Sequence, residues 1–199
     1  MRKLRIMYIS HERKMGGANL CLLELAKEMK KRGHEVYVTV LLKNCPLAVE
    51  LKKCNIATIP AFFGWWQMPK KWNLFLKTAF RFLYALEWIQ LLRLSCIAKK
   101  LKIDIIHSNS SCIDLGMKLY IRTRIPHIWH FREFGDTDYD LEYLEGREKS
   151  IAYINQNAKN IIFISKTLKK YYNDIKSEKN RRIIYDGVSE DYLLMKVDK

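Results

Sequence analysis

No two of the five cysteines (Cys21, Cys45, Cys54, Cys96, Cys112) form a Cys-x-x-Cys pair, and their number is odd. That argues against a disulfide framework and against a zinc site, and favours reduced thiols in a cytosolic protein. No uncharged apolar run reaches the ~20 residues that a membrane-spanning helix needs. The first residues, Met1 to Ile6, carry charge and run straight into a strand-like segment, so no signal peptide is visible. The chain has neither the Gly-x-Gly-x-x-Gly dinucleotide fingerprint nor the Gly-Lys-Ser/Thr of a P-loop. There is no internal repeat, no low-complexity linker and no visible cluster of metal ligands, so no metal is expected.

Acidic residues are also in deficit. The 21 Asp and Glu face 36 Lys and Arg, a net charge of +15. A field of that size attracts a polyanion: nucleic acid, an anionic membrane surface or a phosphorylated ligand. The alternative is that lysine merely keeps the surface solvated. Length and composition fit an ordinary folded domain: 199 residues, 49% hydrophobic and 29% charged, enough to bury a sizeable core.

Strand-like and helix-like segments alternate. Leu4–Ser10 reads as a buried strand, and Ala18–Arg32 carries apolar residues at helical spacing. Gly33 falls where a helix-ending glycine belongs, after the basic last turn Lys30-Lys31-Arg32. Val36–Leu42 is a second strand, and a short helix near Pro46–Lys53 and a strand at Ile56–Ile59 follow. One long helical region is expected over Trp72–Leu101. Further strands are expected at Ile103–His107, His127–Phe131, Ile161–Ser165 and Arg182–Tyr185, with helices at Cys112–Arg122, Asp140–Asn157 and Lys166–Asp174. This alternation predicts an α/β, Rossmann-like, doubly wound and mainly parallel sheet of about seven strands, with helices on both faces.

Ligands of such sheets bind beyond the carboxyl ends of the strands. The residues there, His11–Ala18, His107–Ser111, His130–Asp136, Ser165–Thr167 and Asp186–Val188, are mostly polar. Gly16-Gly17 lies between the first strand and the first helix, where bare backbone amides and the helix dipole suit a phosphate or oxyanion, unless the turn is only a tight structural one.

These residues carry a resemblance. Arg5-Ile-Met-Tyr-Ile-Ser10, Gly16-Gly17-Ala18 and Lys31-Arg32-Gly33-His34-Glu35-Val36 resemble the opening of glycosyltransferase family 4 enzymes. Asp104-Ile-Ile-His107-Ser-Asn109 resembles the family's Asp-hydrophobic-hydrophobic-His segment, and Ile125-Pro-His-Ile-Trp-His130-Phe-Arg132-Glu133 its Pro-x-x-x-x-His strand. Ile161-Ile-Phe-Ile-Ser165-Lys166 and Ile183-Ile-Tyr-Asp186-Gly187-Val188 resemble two later segments, with Asp186 where Asn is commoner. The resemblance implies the N-terminal, acceptor-side half of a GT-B fold: a domain over residues 1–188, an interdomain linker starting at 189–199, and a second, donor-binding domain that is absent. The family's paired glutamates of that second half have no counterpart at the same spacing here, so the piece alone is expected to be inactive.

By the same resemblance, Gly16 and Gly17 would offer N–H groups to donor phosphates. His130 would stand nearest the reaction centre, and His107, Asn109, Arg132 and Glu133 would meet acceptor or sugar. Arg132 could hold a phosphate with Glu133 orienting it, or the two could form a pair that only shapes the loop. The implied chemistry is retaining transfer from a nucleotide-sugar co-substrate, without a further cofactor, to a lipid-linked or polysaccharide acceptor.

Between Pro60 and Lys102 eight basic residues face one acidic residue, Glu87, with many aromatics interleaved. Trp65, Trp66, Lys70, Lys71 and Trp72 read as a possible contact with an anionic membrane surface at the inner, cytoplasmic face, against the alternative that the aromatics are core. A nucleic-acid module and a standalone nucleotide-binding protein are the competing functions; no nucleic-acid motif supports the former, so no nucleic-acid partner is expected.

Overall fold

The structure, a computed structural model, describes residues 2–176 and 181–187. The domain boundary expected at 188 and the linker expected over 189–199 lie outside the described residues. The elements are β1 (Arg5–Ile9), α1 (Gly17–Lys31), β2 (Glu35–Val40), α2 (Pro46–Lys53), β3 (Ala57–Pro60), β4 (Gln67–Pro69), α3 (Leu74–Ala85) and α4 (Glu87–Lys100). They continue with β5 (Ile105–Ser108), α5 (Leu115–Thr123), β6 (His127–Phe131), β7 (Leu141–Tyr143), α6 (Arg147–Asn157), β8 (Asn160–Phe163), α7 (Lys166–Tyr171) and β9 (Arg181–Ile183).

Seven strands form one parallel sheet in the order β3-β2-β1-β5-β6-β8-β9. The winding reverses between β1 and β5, where a crevice opens at the strand ends of an α/β sheet. Alternation along the strands sorts the two faces. Tyr8, Val36 and Val38 meet Leu22 and Ala26 of α1 and Leu47 and Leu51 of α2. Met7, Ile9 and Ile106 meet Leu94 and Ala98 of α4 and Leu119 of α5 on the other side. Trp129, Phe131 and Phe163 continue that second side beneath α5, α6 and α7.

α1 stops as its sequence requires. Gly33 adopts φ +88°, and His34 N donates to Met29 O while Gly33 N donates to Lys30 O, a Schellman end. α5 can sit close to the sheet because Gly116 has no side chain: a Cβ there would lie 2.1 Å from Ser108 Oγ and 2.6 Å from His127 Nε2.

Two expectations are corrected. The single helix over Trp72–Leu101 is two helices, broken at Leu86, which closes α3 and opens α4. None of α3 is buried, whereas α4 turns inward to place Leu94, Ala98 and Glu87 inside. The helix expected from Asp140 begins only at Arg147. Before it, Leu141–Tyr143 pairs antiparallel with Gln67–Pro69, burying Leu141 and Tyr143, and Gly146 at φ +80° starts the helix.

Candidate functional site

Polar side chains gather where the winding reverses. Ser10 and His11 follow β1 and open a loop that Asn19 holds from inside α1: its Nδ2 donates to Lys14 O at 2.7 Å and to Glu12 O at 3.3 Å, and its Oδ1 accepts from Ser10 Oγ at 2.8 Å. α1 then starts at Gly17 with Gly16 as its cap, extended at φ −82° and ψ 179°. No side-chain hydrogen bond caps it and no acidic residue occupies its first turn, although the Glu12 carboxylate lies beside Gly16; uncapped N–H groups and the helix dipole suit an anionic acceptor. A Cβ on Gly17 would meet nothing within 4 Å, whereas one on Gly16 would lie 2.6 Å from Glu12 Oε1.

Asn109, just past β5, ties this turn to the neighbouring strand end. Its Nδ2 donates to Ala18 O at 2.9 Å, and its Oδ1 accepts from Arg132 Nε at 3.0 Å. Arg132 in turn reaches Asp186 with Nη1, 2.7 and 2.5 Å from its two carboxylate oxygens. The guanidinium is 5% exposed and the carboxylate 34%, so the pair sits at the lip of a groove.

His107 and His130 project from adjacent strands on the α1 side of the sheet. His107 Nε2 lies 3.4 Å from His130 Nδ1, so one ring must donate to the other. His130 Nε2 is buried with no hydrogen-bond partner among the described residues. Burial, then the Arg132 charge, lowers His107 to about 3. Burial, then Arg132, then His107, lowers His130 to about 2. Both are therefore neutral imidazoles at physiological pH, able to accept or donate a hydrogen bond but not to supply a cation. They share with Cys21, Leu25, Arg132 and Tyr185 a groove of about 390 Å³.

Of the residues singled out in the sequence, Gly17, His107, Asn109, His130 and Arg132 thus converge on one rim. Glu133 does not join them. Successive residues leaving a strand point to opposite sides, so an Arg132–Glu133 pair, one of the two readings, is not among the ion pairs of the described residues, and Arg132 pairs with Asp186. Glu133 turns inward, 7% exposed, and its Oε2 accepts from Ser110 Oγ, Ser111 N and Ser111 Oγ, each at 3.1 Å. Its Oε1 faces His11 Nε2 at 3.6 Å. Burial raises Glu133 and lowers His11 to about 4. His11, Ser110 and Ser111 were legible only as strand-end residues; no motif marks their partnership.

The membrane-contact residues are also redistributed. Trp66 is buried and its indole N–H donates to Ser111 O at 2.7 Å; Trp65 is half-buried and donates to His11 O at 2.8 Å. Both indoles have carbonyl partners in the strand-end loops; burial removes Trp66 from the surface, whereas Trp65 stays partly exposed. Trp72 is half-buried and packs edge-on against Phe80. Lys70 and Lys71 are exposed. The exposed apolar surface lies instead on α3 and the start of α4, with Leu74 at 77% and Phe75 at 78%. No helix among the described residues is long and apolar enough to cross a membrane. Among them, too, no group of three or more His, Cys, Asp or Glu is placed to hold a metal ion.

A sequence profile described as Glycosyltransferase Family 4 matches residues 15–192. No curated protein sequence matches the chain. Among solved structures, a glycosyltransferase from Rickettsia africae superposes with a TM-score of 0.66 at 19% identity, over 96% of this chain and 45% of that one. HepE of Anabaena, solved in complex with UDP, gives 0.64 at 16% identity over 94% of this chain and 45% of that one. A putative UDP-N-acetylglucosamine 2-epimerase from Listeria monocytogenes gives 0.57 at 11% identity over 91% of this chain and 45% of that one. The chain thus spans just under half the length of each.

Proposed function

The chain belongs to glycosyltransferase family 4, with the fold of the N-terminal half of a GT-B enzyme, and from that premise we propose that it is the acceptor-side half of a retaining, nucleotide-sugar-dependent transferase. The supporting observation is the convergence at the β1/β5 reversal of an uncapped helix N-terminus, the Asn109–Arg132 link and a pair of neutral histidines. Gly16, Gly17 and Arg132 would face the donor diphosphate, where backbone N–H groups and a guanidinium stabilise a leaving phosphate. His130, with one ring nitrogen unpartnered among the described residues, would hydrogen-bond the reacting sugar, and His107 would fix its tautomer. His107 and Asn109 would also border the acceptor. Glu133 would act from behind, holding the loop. No metal or additional cofactor enters this scheme. HepE was solved in complex with UDP-glucose, which makes a UDP-sugar the donor to try first.

The acceptor would be a lipid-linked or polysaccharide saccharide met at the cytoplasmic face of a membrane. Support comes from α3, which exposes Leu74, Phe75, Phe82 and Leu83, beside exposed Lys70 and Lys71 on a chain of net charge +15. An amphipathic helix flanked by lysines suits an anionic interface.

The decisive experiment adds a family donor half to this chain and measures sugar transfer from UDP-sugars to membrane extracts. Transfer should appear only with both halves and should keep the anomeric configuration. Inversion of configuration would remove the retaining assignment. If both halves fold and associate yet no nucleotide-sugar is consumed, the functional assignment fails.

A further inference from the structure

On the sheet face opposite His107 and His130, between α4, α5 and the start of α6, lies a cavity of about 580 Å³. Its walls include Trp66, Tyr84, Leu91, Ile121, Leu144 and Tyr153. The polar groups among its lining are largely consumed by one another. Tyr84 donates its hydroxyl to Asp114 Oδ2 at 2.6 Å, and Lys118 Nζ lies 3.2 Å from both Glu87 and Asp114 and 3.9 Å above the Tyr84 ring. What remains facing the cavity is hydrocarbon and aromatic ring, which water fills poorly.

Charge at the mouth is different. Arg122 and Lys149 line it, are exposed, and have no carboxylate partner among the described residues; one unpaired carboxylate, Glu145, stands with them. The cavity wall is continuous with the exposed apolar surface: Tyr84 belongs to α3 and Leu91 to α4, the helices that present Phe82, Leu83, Trp88 and Ile89 to solvent.

An apolar slot of ligand size with free cations at its entrance fits an amphiphile whose head is anionic. We propose that this cavity binds the hydrocarbon tail of a phosphate-headed lipid, with Arg122 and Lys149 at the head. The site is separate from the reaction groove. It rests on the reading of this domain as one that works at a lipid surface, and it can be tested without the donor half.

The probes are alkyl phosphates of increasing chain length, titrated calorimetrically into the purified chain while still monomeric, beside inorganic phosphate and neutral alkyl maltosides. One alkyl phosphate should bind per chain, tightening about fourfold per added methylene until the slot is full, while inorganic phosphate should not bind there. Ile121→Trp, at an exposed position on the wall, should fill the slot and weaken binding at least tenfold without changing the melting temperature. Lys149→Glu should weaken the phosphates and spare the maltosides. Phe75→Ser on α3 should impair vesicle binding but leave the monomer titration unchanged, which separates this site from general membrane adhesion. Binding indifferent to chain length or to Ile121→Trp would overturn the tail site. Equal loss of phosphates and maltosides in Lys149→Glu would overturn the head assignment.

Discussion

Arg132 places its Nε 3.0 Å from Oδ1 of Asn109, and through that amide it is joined to the carbonyl of Ala18 in the first turn of α1. Arg132 is therefore positioned by the same residue that ties the glycine turn to the neighbouring strand end. Its other end is held by Asp186. Under the proposed function, that carboxylate competes with the donor phosphate for the guanidinium.

Asp186→Asn should consequently free Arg132. With the donor half restored, nucleoside diphosphate affinity should rise up to about fivefold, the range of a partly exposed ion pair. Arg132→Ala should lower it about tenfold or more, as expected for loss of a charge-assisted hydrogen bond. Calorimetric titration with UDP checks both. Weaker binding in Asp186→Asn would show that the aspartate supports the site instead of competing in it.

The buried histidines make acid the weak side of this domain. Burial is the largest cause in holding His11 at about 4, His107 and His127 at about 3, and His130 at about 2. Below pH 6.5 the unfolded chain takes up protons that these native imidazoles refuse, so their contribution is complete above 6.5 and is lost on acidification. Glu87, raised by burial to about 7, and Glu133, also raised by burial, act in the opposite sense. Their native forms bind protons that the unfolded carboxylates release down to about pH 4.5. The four imidazoles outnumber the two carboxyls, so net stability falls as the pH drops below 6.5. Urea denaturation from pH 7.5 to 4.5 should show this fall, and a flat or rising stability would contradict it.

Much of this arrangement could be read before the fold was known. All seven strands of the main sheet were legible because parallel, two-sided burial leaves continuous β-branched runs, as in Val36–Leu42 and Ile161–Ser165. Ser165 was legible as a helix cap, and its Oγ accepts from Leu168 N at 3.0 Å. The β4/β7 pair was not legible, because three-residue strands have too few alternations to show a period. Nor was the inward turn of Trp66, since aromatic residues among lysines read the same whether their N–H meets lipid headgroups or a carbonyl. At the site, Gly17 stood out by its place after a strand, and His107 and His130 by their places at strand ends. The His11–Glu133 approach joins residues 122 positions apart, with no spacing rule to announce it.

Two glycines should respond in opposite ways. Gly17→Val adds atoms where nothing lies within 4 Å, so stability should change by no more than about 1 kcal/mol. The side chain would nevertheless stand over the exposed amides of α1, and UDP affinity of the two-half enzyme should fall at least tenfold. Gly116→Ala drives a Cβ to 2.1 Å from Ser108 Oγ and should cost about 1–3 kcal/mol of overpacking. Urea midpoints of the two variants, taken beside the UDP titration, distinguish a binding glycine from a packing one.

Glu133 gives the sharpest contrast between holding a loop and touching a ligand. Its Oε2 receives three donors from Ser110 and Ser111, while Oε1 faces His11, whose carbonyl accepts Trp65 Nε1. The carboxylate thereby fastens the segment after β6 to the loop after β5, while Oε1, without a hydrogen-bond partner among the described residues, stands next to the loop after β1, which carries the glycine turn. Glu133→Ala leaves buried donors without an acceptor and should destabilise the domain by about 1–3 kcal/mol. Glu133→Gln keeps an acceptor oxygen of the same reach, so it should recover most of that stability and, in the two-half enzyme, most of the transfer rate. A group that instead receives a proton from acceptor or water would not be replaced by an amide. Near-complete loss of transfer in a fully stable Glu133→Gln protein would move Glu133 from the scaffold into the chemistry.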